Sequence, residues 1–190
     1  MHEKHEHRNK MVGFLHLLLT EAKDGFLSAL LVTDIRGIPQ EFRCTRPVKP
    51  TAIQQKLYGD KLKPYIAVNL CGVPLVESLE NSPAAILVRE KLLLGVRPFV
   101  EFPVIYVEKS GEAIEIQSVG LSNGGLRLKI ESPGGRFQPV SCETHPDFHE
   151  DGETISDVLK EISENLDPLE PFGRILSAVK VIGQKDDRFV

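Results

Sequence analysis

The sequence predicts an α+β fold: a mixed sheet with a β-α-β core, an antiparallel β-meander and a C-terminal α-hairpin. Three observations lead there. Residues 26–33 (FLSALLVT) and 84–88 (AAILV) are almost unbroken apolar runs, as expected of strands buried on both faces. The stretch between them reads as helical, so the two runs are expected to form a parallel pair joined by a crossover. Beyond residue 100 the chain first breaks into short strand-like runs separated by Gly, Asn and Pro, then returns to helical spacing.

Composition fits that class. At 41% hydrophobic and 26% charged, the 190 residues resemble an ordinary globular chain and can build a core without disulfide or metal staples. A single α+β domain is expected over residues 1–186, divisible into sub-lobes 10–100 and 101–183, with 187–190 as a frayed tail. Cys44, Cys71 and Cys142 are few, odd in number and far apart, which favours a reducing compartment over a secreted scaffold. No apolar stretch approaches the 18 or so residues of a membrane span. A cytoplasmic chain with no membrane contact is the expectation.

Taken in order, Met11, Phe14, Leu15, Leu18, Leu19 and Ala22 match i, i+3, i+4, i+7 spacing and predict an amphipathic first helix. That reading is preferred to a signal peptide, because His16 interrupts the apolar run and Thr20-Glu21-Ala22 is a poor cleavage sequence. After strand 26–33, residues 34–37 form a hairpin turn and 38–44 alternate as an edge strand, where Pro39 is tolerated. Thr51 and Gln54 make a capping box that opens a helix. Gly59, Pro64 and Pro74 cut the region up to residue 79 into short helical pieces. Residues 104–107, 113–119, 126–130 and 137–142 are the meander strands, linked by Ser110-Gly111, Asn123-Gly124-Gly125 and Pro133-Gly134-Gly135. Thr154 with Asp157 is expected to cap a helix bearing Ile155, Val158, Leu159, Ile162 and Leu166, and Ile175, Leu176, Val179 and Ile182 continue in a second one.

Charge is uneven. Residues 36–66 hold seven Lys or Arg against Glu41 and Asp60, whereas residues 142–170 hold ten acids against Lys160 alone. The two regions could lie against each other, or the first could be a binding face. Arg43, Arg46, Lys49, Lys56, Lys61 and Lys63, with Tyr58 and Tyr65 interleaved, suit a phosphate backbone with unpaired bases stacked on tyrosine. With no Walker, dinucleotide or nucleophile-elbow motif present, the leading expectation is an intracellular adaptor module. Its basic face, over residues 43–63, would meet an acidic protein partner or nucleic acid.

The alternative is a metal-dependent, hydrolase-like enzyme. Cys142-x-x-His145-x-x-x-His149 has thiolate and imidazole at spacings that a local loop can bring to one zinc ion, with Asp147, Glu150 and Asp151 beside it. His2, His5 and His7 form a second imidazole cluster. Asp34 at a turn and Glu41 on the next strand are a weaker pair for magnesium, since any charged hairpin looks the same. His16 reads as a packed side chain among leucines. A third reading makes the chain a structural subunit whose terminal helices pack across a dimer interface.

Overall fold

The structure is a computed structural model that describes residues 10–110, 121–122 and 125–186. Its centre is one sheet in the order β3-β2-β1-β4-β5-β8-β7-β6. The strands are β1 (Met11–Leu19), β2 (Phe26–Asp34), β3 (Pro39–Cys44), β4 (Ala85–Val88), β5 (Val104–Lys109), β6 (Leu121–Ser122), β7 (Gly125–Ile130) and β8 (Val140–Glu143). Between β3 and β4 lie α1 (Ala52–Tyr58), α2 (Leu62–Tyr65), a π-helical turn (Ile66–Gly72) and α3 (Val73–Glu77). A 3-10 segment, Lys91–Phe99, joins β4 to β5, and α4 (Asp151–Ile162) and α5 (Glu170–Lys185) close the chain.

The α+β class holds, but the first element does not. Residues 11–19 are a strand, not an amphipathic helix. Nearly every position in the run is apolar, so it satisfies helical and strand spacing alike, and long-range packing decides. Val12, Phe14 and Leu18 enter the core on the α4/α5 side of the sheet. Leu15 and Leu17 enter the core on the opposite side, under the π turn, α3 and the 3-10 segment. A helix would leave part of that surface in water. Gly13 also favours the sheet, because a Cβ there would sit 3.1 Å from Ile86 Cγ1 on the neighbouring strand.

This changes the parallel pairing. The two runs expected to pair are separated by β1: β2 is antiparallel to β1, and β4 pairs parallel with β1. β5 adds a third parallel strand beside β4 instead of opening a meander. The antiparallel part is β6–β7–β8, with β8 laid against β5. The expected strand 113–119, like the turn residues 123–124, the tail 187–190 and His2, His5 and His7, lies outside the described residues.

Several local expectations hold. β3 is an edge strand, and Thr51 and Gln54 form the reciprocal capping box of α1. Gly59, at φ 51°, ends α1 in backbone that only glycine adopts freely. α4 starts at Asp151, so Thr154 lies inside the helix rather than at its cap, and α5 runs through Gly183 to Lys185. The basic and acidic regions mostly find other partners. Arg43 pairs with Glu41 and Glu80, whereas the acidic stretch is met by Lys10, Lys91 and Arg97.

Candidate functional site

In an open sheet, parallel strands expose their carboxyl ends where the connecting chain turns away, and ligands bind in the crevice formed there. β1, β4 and β5 run parallel and side by side, in a register that sets Leu15 beside Val88 and Val88 beside Tyr106. Just past that level each strand delivers polar groups. β1 gives His16, the chain leaving β4 gives Arg89 and Glu90, and β5 gives Lys109. These four line one wall of a cleft of about 370 Å³, and the opposite wall is α5, through Leu169, Phe172, Gly173 and Leu176.

The polar wall is ordered. His16 Nδ1 lies 3.0 Å from Glu90 Oε1, an ion-pair distance without hydrogen-bonding geometry. Glu90 Oε2 accepts from the Leu17 backbone N–H at 3.3 Å, which ties the carboxylate to β1. The His16 ring meets Phe172 edge-to-face, with centroids 5.6 Å apart, and Phe172 meets Phe14 in the same way on its other side. Aromatic packing therefore fixes the imidazole plane. Arg89 Nη1 reaches the Val107 carbonyl at 3.5 Å, and Lys109 is exposed. The cleft holds two cations, one carboxylate and one titratable imidazole.

A divalent metal of the kind used by many phosphoryl-transfer enzymes needs several oxygen ligands at one point. Glu90 is the cleft's single carboxylate and His16 is a poor ligand for a hard ion, so this donor set does not fit magnesium. Among the described residues, no three His, Cys, Asp or Glu side chains are grouped to hold an ion. The zinc set of Cys142, His145 and His149 is not assembled. Cys142 points into the core, its Sγ donating to the Leu128 carbonyl, and burial pushes the thiol up to about 12, so it stays protonated. His145 Nδ1 accepts from the Asp147 N–H, and His149 is exposed. The weaker pair fails as well. Asp34 Oδ1 accepts the Arg36 and Ile38 amides inside its turn. Glu41 is taken up by Arg43, Asn81 and the Glu80 amide.

The expected basic face separates into two kinds of residue. Arg43 is bonded to Glu41 and Glu80 and is structural. Arg46, Lys56, Lys61 and Lys63 are exposed, as is Lys49, which lies 3.3 Å from Asp24. Residues 51–65 form an arm in which α1 buries nothing. On it Ile53 and Leu57 are 71% and 77% exposed, and the rings of Tyr58 and Tyr65 lie 5.5 Å apart. The arm borders the β1–β2 turn across a groove of about 460 Å³ reaching from Lys23 to Lys63. That turn follows the carboxyl end of β1, so arm and cleft occupy the same end of the sheet.

Sequence reasoning read His16 as a packed side chain and did not single out Arg89, Glu90, Lys109 or the α5 wall. A signal was present: a lone polar residue inside an apolar run, and a charged pair directly after AAILV, where a buried strand must present its carboxyl end.

No protein-family model matches the chain. No curated protein sequence matches it. Among solved structures, endonuclease V from Bacillus subtilis superposes with a TM-score of 0.50 at 12% identity, over 93% of this chain and 83% of that one. Endonuclease V from Ciona intestinalis, in complex with an inosine-containing 23mer DNA, gives 0.41 at 16% identity, over 80% and 76%. Argonaute from Marinitoga piezophila, with guide RNA, gives 0.36 at 11% identity, over 79% of this chain and 26% of that one. The Bacillus likeness shows a fold shared with a nuclease. It overturns the adaptor expectation, whose only basis was the lack of a catalytic fingerprint together with an uneven charge.

Proposed function

We propose that the chain is a polynucleotide hydrolase that works on a phosphodiester held in the cleft at the carboxyl ends of β1, β4 and β5. The observation behind this reading is the His16–Glu90 pair, set between Arg89 and Lys109. Two cations beside a proton acceptor suit an anionic ester: Arg89 and Lys109 bind the phosphate oxygens and offset the charge that grows on them during attack. With Nδ1 turned to Glu90, Nε2 of His16 is the nitrogen left to take the proton from an attacking water. The new P–O bond forms as the opposite one breaks, and the leaving oxygen is protonated from solvent or from the His16 imidazolium. The Glu90 carboxylate, 3.0 Å from Nδ1, faces the charge that the ring carries once the proton has arrived.

The arm lengthens the contact. Arg46, Lys49, Lys56, Lys61 and Lys63 track the backbone beyond the cleft, and Tyr58 and Tyr65 offer exposed ring faces to unpaired bases. Arg43, already paired with Glu41 and Glu80, is not among them.

An end-labelled single-stranded oligonucleotide, DNA or RNA, tests the reading. The wild type should cleave it, H16A should bind it normally with turnover at least 100-fold lower, and the R89A/K109A double variant should lose binding. Cleavage unchanged in H16A removes the mechanism. Binding without cleavage by the wild type leaves a second reading, a polynucleotide-binding protein on a nuclease fold, which the single carboxylate of the cleft favours.

A further inference from the structure

On the α5 side of the cleft a glycine sits between two leucines. Leu169, Gly173 and Leu176 fall at i, i+4 and i+7, on the helix face that lines the cleft. Glycine is the poorest ordinary residue for a helix interior, and an exposed helical position normally gains from any other choice. Gly173 is exposed, and a Cβ built there would meet nothing within 4 Å. Packing against the fold therefore does not require glycine at this position. Its effect is on the cleft. Two leucines flank a bare stretch of helix backbone, and across from it stand Arg89, Glu90, Lys109 and His16. The α5 lining is apolar, and the rest of the lining is charged or polar.

That asymmetry has a chemical match. A nucleotide has a planar, largely apolar face on its base and an ionised phosphate at the other end, singly charged within a strand. The cleft volume of about 370 Å³ lies within the range of small-molecule sites, about 300–1,000 Å³. A duplex presents its bases edge-on and stacked, and cannot offer a base face to a helix wall without unstacking it.

We infer that Gly173 is a specificity-determining residue: its missing side chain leaves the slot in which one unstacked base lies flat against α5, between Leu169 and Leu176, while its phosphate rests on Arg89 and Lys109. This deepens the polynucleotide reading and rests on it. The cleft then accepts one unpaired nucleotide at a time, from a single strand or from a locally opened duplex.

The probes are a fluorescent single-stranded 12mer, the same 12mer with one abasic position at its centre, and a nucleoside 5′-monophosphate. They are titrated against wild type, G173A and G173L. Leucine is a far better helix former than glycine, so G173L should melt at or above the wild-type temperature, which separates a blocked slot from an unfolded chain. The expected result is a loss of at least 10-fold in affinity of G173L for the intact 12mer and the monophosphate, with G173A in between. The abasic 12mer should lose less than 3-fold. Equal binding of all probes by G173L and wild type would overturn the slot while leaving the polynucleotide reading intact. Equal losses for the intact and abasic 12mers would overturn the base contact. Failure of the wild type to bind any of the probes would overturn the reading itself and the inference with it.

Discussion

At the residue scale, the contrast between Glu41 and Glu90 separates structure from chemistry. Glu41 lies within β3 and Glu90 just past β4, and the sequence singled out Glu41. Glu41 is nearly buried. Burial by itself raises its carboxyl, but the Arg43 guanidinium, the Asn81 side chain and the Glu80 and Asn81 amides outweigh it and hold the group down to about 2. A folded value below the ordinary 4.5 means that the stabilisation is complete above roughly pH 4.5 and is lost as pH falls from there towards 2. We therefore expect E41Q to cost about 2 kcal/mol at pH 7, the scale of hydrogen bonds to a charged group. The gap from wild type should narrow in urea melts at pH 3. A gap that stays constant with pH would mean that the charge is irrelevant. Glu90, by contrast, has one oxygen toward His16 and one on a backbone amide, and it faces the cleft. The sequence showed both residues but not which carboxylate had its hydrogen-bonding capacity filled, because the Asn81 and Glu80 partners of Glu41 are about forty positions away.

At the scale of elements, legibility followed locality. The capping box at Thr51, the edge strand containing Pro39 and the amphipathic spacing of α4 and α5 were readable because each rests on neighbours within a few residues. β1 was not. Its uniform apolar run fits either period, and only burial on both faces by elements 50 to 160 residues away makes it a strand. The same holds for the bond that joins the Lys91–Phe99 segment to the start of α4. Arg97 Nε and Nη2 reach Asp151 at 2.6 and 3.0 Å, both side chains are largely buried, and the guanidinium lies 4.0 Å over the Phe148 ring. In the sequence Asp151 was one acid in an acidic run, beside the candidate metal ligands. Removing one partner of a buried pair strands the other charge, so D151A should lose about 3–5 kcal/mol of unfolding free energy. A loss below about 1 kcal/mol, read from the urea midpoint, would show that the pair is dispensable.

At the scale of the whole molecule, the fold class was legible and the strand order was not. A β-α-β unit was foreseen, but with β2 in the place that β1 occupies. That single exchange hid the site, because the carboxyl ends that form the cleft belong to β1, β4 and β5. The net charge of −4 likewise says nothing of where cations lie, whereas Arg89 and Lys109 stand together in the cleft at one end of the sheet. The central claim is that a polynucleotide lies across this end, from the arm to the cleft. Its most direct test is the affinity of a labelled single-stranded oligonucleotide, read by fluorescence anisotropy over a series of salt concentrations. Contacts from Arg89, Lys109, Arg46, Lys49, Lys56, Lys61 and Lys63 predict a slope of log K against log salt of roughly −5, at about −0.7 for each phosphate neutralised on a single strand. R89A should make that slope shallower by about 0.7. A wild-type chain that fails to bind at low salt, or a slope that R89A and K109A leave unchanged, would contradict the account.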